Sequence, residues 1–177
     1  MIFHETKLEG VVVIEPEYYS DDRGFFARSW CEKTFQEHSL TPKIVQCNIS
    51  MNKRIGTLRG MHYQIAPVEE AKLVRCMRGS IFDVAIDLRA HSKTFMQWTG
   101  IELTAENHLA LYIPEGCAHG FLTMEEETEV FYQMSEYYHP EAQRGVRWND
   151  PVFGIDWPGT VQAIADRDRE YPDFELR

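Results

Sequence analysis

Residues Ser80 to Leu88 read SIFDVAIDL, and every second position from Phe82 on, namely Phe82, Val84, Ile86 and Leu88, is apolar. Successive residues of a strand point to opposite sides, so this period of two puts the four side chains on one face of an extended strand. β-Rich runs of similar length flank it: Gly10 to Ile14, Lys43 to Ile49, Thr57 to Gln64, Lys72 to Met77, Trp98 to Leu103, His108 to Ile113, Gly120 to Met124 and Glu129 to Met134. Turn signals stand between or after them, at Arg78-Gly79, Pro114-Glu115-Gly116 and Asn149-Asp150-Pro151. About nine short strands, each with an apolar face to cover, predict an all-β antiparallel sandwich or barrel. Helical periodicity is confined to Glu32–His38 and Val161–Asp168, each suited only to a short peripheral helix. The segment from Trp157 to Arg177, rich in Asp and Pro, reads as a surface wrap.

With 177 residues, 44% of them apolar, the chain supplies one core and too little for two, which predicts a single domain over residues 1–177. Eighteen Lys and Arg against 28 Asp and Glu give a formal net charge of -10. A partner that is itself a polyanion, nucleic acid or an anionic membrane surface, is therefore not expected, and any anionic ligand needs a local group of cations. No window approaches the roughly 18 apolar residues of a membrane span, and the start MIFHETKLEG lacks the pattern of a signal peptide. Cys31, Cys47, Cys76 and Cys117 lie far apart without metal-type spacing, so free thiols and a cytoplasmic location are expected.

Chemistry-bearing residues concentrate in two places. Gln46-Cys47-Asn48 and Leu58-Arg59-Gly60-Met61-His62-Tyr63-Gln64 place amide, guanidinium and imidazole groups in strands that ought to alternate apolar and polar. In a regular strand Arg59 and His62 face opposite sides. A glycine inside a strand pattern often marks a bulge, and a bulge at Gly60 would bring both to one side. The second place is Pro114-Glu115-Gly116-Cys117-Ala118-His119-Gly120-Phe121, whose PxGxxH spacing resembles the second motif of the cupins, barrels of the double-stranded β-helix type. Metal cupins carry an HxH pair in their first motif. Here the single His62 stands in its place, so too few donors remain for Fe, Mn or Zn, and neither a metal nor another cofactor is expected.

Several strings in order make a more specific likeness: Asp22-Arg23-Gly24-Phe25-Phe26, Gln46-x-Asn48, Gly56 to Gln64, Lys72-Leu73-Val74-Arg75, Asp83-Val84-x-x-Asp87-Leu88-Arg89, Ile113 to Phe121 and Trp148-Asn149-Asp150-Pro151. Together they resemble the dTDP-4-dehydrorhamnose 3,5-epimerase family. The resemblance implies a cupin-type jelly roll with a few short helices, free of metal and homodimeric, acting on a nucleotide-diphosphate 4-keto-6-deoxy sugar. By the same resemblance His62 is the base that removes a proton beside the ketone, and Asp168 orients it, with Asp166 as a neighbouring competitor. Lys72 stabilises the enolate oxygen and Tyr132 returns a proton from the far face. Tyr138 lines the same pocket, while Gln46, Asn48, Arg59 and His119 contact the base, sugar or phosphates. Arg23 reaches the partner subunit's site. Arg28 stands where many relatives carry a glutamate near the nucleobase, and Cys117 where an aromatic is common.

Overall fold

The computed structural model describes residues 1–175. One sheet runs in the order β1 (Ile2–Glu5), β2 (Val12–Glu15), β10 (Ala110–Ile113), β7 (Lys72–Arg78), β12 (Thr128–Met134), β5 (Gln46–Asn52). The other runs β13 (Gln143–Gly145), β6 (Thr57–Gln64), β11 (Cys117–Thr123), β8 (Ser80–Asp87), β9 (Trp98–Thr104). The short β14 (Ala163–Ile164) adds to β6 in the parallel sense, and the other pairings are antiparallel. β3 (Tyr18–Asp21) and β4 (Gly24–Ala27) form a separate hairpin, and the two helices, α1 (Glu32–Glu37) and α2 (Asp166–Arg169), are short. This is the expected jelly roll.

Apart from β1–β2 and β8–β9, the neighbours within the two large sheets are nonconsecutive strands, and their alternation builds three apolar clusters rather than one. Between the sheets, Val11, Val13, Val74, Cys76, Ile81, Ala85, Leu111 and Phe121 pack together. Outside the first sheet, α1 sets Phe35 on Ile14, Leu73 and Tyr112. Outside the second, Val84, Ile86 and Met61 are covered by Phe153, with Ile155, Trp157 and Phe174 packed against them.

SIFDVAIDL is thus buried on both faces, not half-buried. The alternating set Phe82, Val84 and Ile86 belongs to the outer cluster, and the less obvious set Ile81 and Ala85 forms the barrel core. Two-sided burial is possible because the chain after Asn149 lies across the outside of β8, so the C-terminal stretch is a wrap with an apolar underside. It contains no helix over Val161–Asp168. Ala163 and Ile164 pair with Thr57 and Leu58, and the helical turn begins only at Asp166. The hairpin β3–β4 and the edge strands β1 and β13 had no clear signal in the sequence. They are short and polar or aromatic on an exposed surface, so no apolar alternation marks them.

Gly60 carries the expected bulge. His62 pairs with His119 and Arg59 with Phe121, so β6 has one more residue between the pairs than β11. Gly60 has a φ of +126°, and a Cβ there would lie 2.5 Å from the Cα of Gly120. The two strands close on each other at a point that neither can furnish with a side chain. Gly60→Ala should therefore lower stability by about 2 kcal/mol or more, a fall of roughly 5 °C or more in Tm. Gly159→Ala, whose Cβ would meet only ordinary contacts at 3.5 Å or beyond, should stay within about 0.5 kcal/mol of wild type. Equal Tm values for the two variants would show that the close approach of β6 and β11 is not required.

Candidate active site

Between the sheets, beside the apolar core, lies a cavity of about 670 Å³. Its boundary with the core follows from alternation. On β7 the inward residues Cys76 and Val74 are core and the next, Lys72, faces the cavity; on β12 Val130 is core and Tyr132 and Met134 line the cavity. β5 adds Gln46 and Asn48, β6 adds Arg59, His62 and Gln64, and β11 adds His119. The C-terminal segment closes one wall with Ala165, Arg167 and Asp168. Arg59 and His62 both face this space, as the bulge at Gly60 requires.

His62 Nε2 lies 2.7 Å from Asp168 Oδ1, and the other carboxylate oxygen accepts the N–H of Gly60 at 3.1 Å. Asp168 is buried, whereas Asp166 is exposed and faces Arg169. The choice between the two carboxylates is thereby made by position. Burial alone would raise the Asp168 carboxyl, but the hydrogen bond and charge of His62, the Gly60 N–H and Arg167 outweigh it and hold the group below the usual range. A guanidinium nitrogen of Arg167 also approaches Nε2, at 3.4 Å. The shorter contact to a carboxylate wins, which assigns the proton to Nε2 and leaves Nδ1 as the basic nitrogen.

A second imidazole is held the same way. His119 Nε2 lies 2.7 Å from Asp83 Oδ1, and both residues are buried. Burial pushes the Asp83 carboxyl up against the opposing pull of His119. Lys72 is buried and donates to Glu70. Tyr132 is half-buried, its phenol pushed up by burial, with Arg59 opposing and Glu70 adding to the shift. Arg59 gives its Nε to Asn52 Oδ1 at 2.7 Å. Tyr138 donates its hydroxyl to Gln143 at 2.7 Å, and its N–H reaches Gln46.

Arg23, expected at the partner subunit's site, and Arg28 both lie outside this cavity. Arg23 sits on the β3–β4 hairpin, exposed and paired with Asp21, and Arg28 is exposed just beyond β4. Conversely Glu70, Gln143 and Arg167 line the cavity and Asp83 supports it without having been singled out. The signals existed. Glu70 has the inward parity of Lys72, Asp83 interrupts the apolar set Ile81 and Ala85, and Arg167 adjoins Asp168. Among the described residues no cluster of three or more His, Cys, Asp or Glu could hold a metal ion.

The family model for dTDP-4-dehydrorhamnose 3,5-epimerase matches residues 5–175. The chain belongs to this family. A dTDP-4-dehydrorhamnose 3,5-epimerase of Methanothermobacter thermautotrophicus is 47% identical over 172 residues, which cover 96% of this chain and 92% of that protein. The Legionella pneumophila dTDP-6-deoxy-D-glucose-3,5-epimerase, solved in complex with dTDP-4-keto-L-rhamnose, superposes with a TM-score of 0.88 at 35% identity, covering 99% of each chain. A 3'-monoepimerase from Streptomyces bikiniensis in complex with dTDP-quinovose gives 0.87 at 32% identity, covering 96% of this chain and 86% of that one.

The depressed Asp168 carboxyl sets a pH dependence. A group whose folded pKa lies below its unfolded value stabilises the fold above the ordinary carboxylate pKa of about 3.9 and loses that contribution as pH falls through the folded value. Asp168→Asn should cost about 1 to 3 kcal/mol at pH 7, and the difference from wild type should close toward pH 2. Asp166→Asn should differ little at either pH. Urea unfolding across this range measures both, and a constant deficit for Asp168→Asn would contradict the ionic hydrogen bond.

Proposed function

We propose that this epimerase-family chain inverts C3 and C5 of dTDP-4-dehydro-6-deoxy-D-glucose, giving dTDP-4-dehydro-L-rhamnose. The observation that carries this reading is the His62–Asp168 pair set in one cavity with Lys72 and Tyr132. In a 4-keto sugar the hydrogens on C3 and C5 are both acidified by the carbonyl, so a base can remove either if the enolate oxygen is stabilised. His62 takes the proton on Nδ1, and Asp168 supports the imidazolium that results. Lys72 places its ammonium at the C4 oxygen. Tyr132, kept protonated by its burial, delivers a proton to the opposite face of the carbanion, and that delivery inverts the centre. Rotation of the ring brings the second centre to the same pair of groups.

The cavity lining includes the cations Arg59, Lys72 and Arg167 against the carboxylates Glu70 and Asp168. In a chain of net charge -10 this local reversal of sign suits a diphosphate. Arg59 is the nearest candidate for it, since a guanidinium can grip two phosphate oxygens at once. Gln46, Asn48, His119 and Tyr138 complete the polar lining and are the proposed contacts to the base, sugar and phosphates.

A homodimer is part of the reading. The hairpin carries Tyr19, Phe25 and Phe26 at 68, 53 and 67% exposure, and Ile49 on the open edge strand β5 is 70% exposed. Exposed apolar side chains of this kind fit a second copy. In that copy's cavity Arg23 and Arg28 would find the diphosphate and base. The described cysteines are free thiols, and among the described residues no helix is long and apolar enough to cross a membrane; a cytoplasmic location accords with both.

The test is solvent deuterium incorporation on dTDP-4-dehydro-6-deoxyglucose, counted separately at C3 and C5. Two deuterons with two inversions are expected. One deuteron, at C3 alone, would favour the single inversion of the Streptomyces relative, and none would refute the reading. Tyr132→Phe sharpens it. That variant should still exchange C3 or C5 hydrogen, with configuration retained, while inversion falls by about a hundredfold or more. Exchange and inversion lost in equal proportion would mean that Tyr132 takes part in enolisation and not in reprotonation alone.

A further inference from the structure

Glu70 lies two residues before Lys72, on the same side of the extended backbone, while Ala71 between them turns outward into the cluster around Phe35. The two charged side chains are each 7% exposed, and the carboxylate accepts a hydrogen bond from the ammonium. Both line the cavity. A buried ammonium without a counter-charge costs several kcal/mol and tends to give up its proton instead. The other titratable groups around the cavity do not supply that charge. Asp168 on α2 is bonded to His62 on β6, and Asp83 on β8 to His119 on β11. Burial pushes the Cys117 thiol on β11 up to about 12 and raises the Tyr132 phenol on β12, so both are neutral near pH 7. Arg59 and Arg167 are themselves cations.

We propose that Glu70 is a positioning residue that keeps Lys72 in its ammonium form and fixes it in the cavity where the enolate oxygen develops. This rests on the role given to Lys72 in the proposed reaction. The carboxylate accepts one of the three ammonium N–H bonds and leaves the others to turn toward the substrate. When charge moves onto the C4 oxygen the cation is already in place, with no solvent to reorganise. Glu70 itself touches no reacting atom.

The experiment compares Glu70→Gln, which keeps the shape and an acceptor oxygen but removes the charge, with wild type across pH 6 to 9, using inversion of dTDP-4-dehydro-6-deoxyglucose. Near pH 8 kcat should fall about 10- to 100-fold with KM changed less than about threefold, and the deficit should narrow toward pH 6, where the ammonium is restored. Glu70→Asp should keep the wild-type shape of the profile. A deficit of equal size at every pH, or no deficit, overturns the proposal. Should Glu70→Gln be too unstable to assay, Glu70→Gln/Lys72→Met removes both charges and must recover the wild-type Tm, and a double variant as unstable as the single one also overturns it. Wild type inert toward this substrate would instead defeat the proposed reaction, a separate failure.

Discussion

One hydrogen bond, from His62 to Asp168, joins residues 106 positions apart in the chain, and much of the structure is arranged so that it can form. His62 is aimed into the barrel by the bulge at Gly60. Asp168 arrives on a C-terminal segment that must first cross the outside of β8, pair at β14 with β6, and then turn inward. The same carboxylate caps the Gly60 N–H, so the bulge and the dyad stabilise each other. A side chain at Gly60 or Gly120 would separate the two strands that carry His62 and His119.

The second constraint is the division of the barrel interior. Strands β7 and β12 are neighbours in register, with Val74 opposite Tyr132 and Lys72 opposite Met134. Moving two residues along either strand passes from dispersion-packed core to a polar cavity. The apolar core beside the cavity lowers the dielectric around these buried polar groups, and this strengthens their electrostatics. Each carboxylate in this region is matched to a cation or an imidazole: Asp168 to His62, Asp83 to His119 and Glu70 to Lys72. Such pairing lets a jelly roll bury charge without losing the barrel.

The fold was legible where one face of a strand is apolar and the other polar, and the runs at Thr57–Gln64, Lys72–Met77 and Ser80–Leu88 gave strands within a residue of those observed. Periodicity alone misled at β8, where burial on both faces makes the unbroken apolar set Phe82, Val84 and Ile86 look like the core face, while Ile81 and Ala85, interrupted by Asp83, fill the barrel. The hairpin carrying Arg23 was invisible to it because that element has no cover in a single chain. At the site, His62, Lys72, Tyr132, His119 and Asp168 were named from motif resemblance, and the structure brings them together. The bulge came from Gly60 itself. What escaped were the residues that act on these groups, Glu70, Asp83 and Arg167, because a carboxylate or guanidinium near a motif looks like any solvated charge until its partner across the fold is known.

If Asp168 fixes His62 with its proton on Nε2 and its lone pair on Nδ1, that tautomer is directly observable. Long-range proton–nitrogen correlation spectra of 15N-histidine-labelled protein, with His62 assigned among the seven histidines by its loss in His62→Asn, report which ring nitrogen is protonated. Near pH 8 the His62 ring should show the Nε2–H form, and that preference should weaken in Asp168→Asn. A protonated Nδ1 in the wild-type protein, or a tautomer indifferent to Asp168, would contradict the dyad as the source of the base.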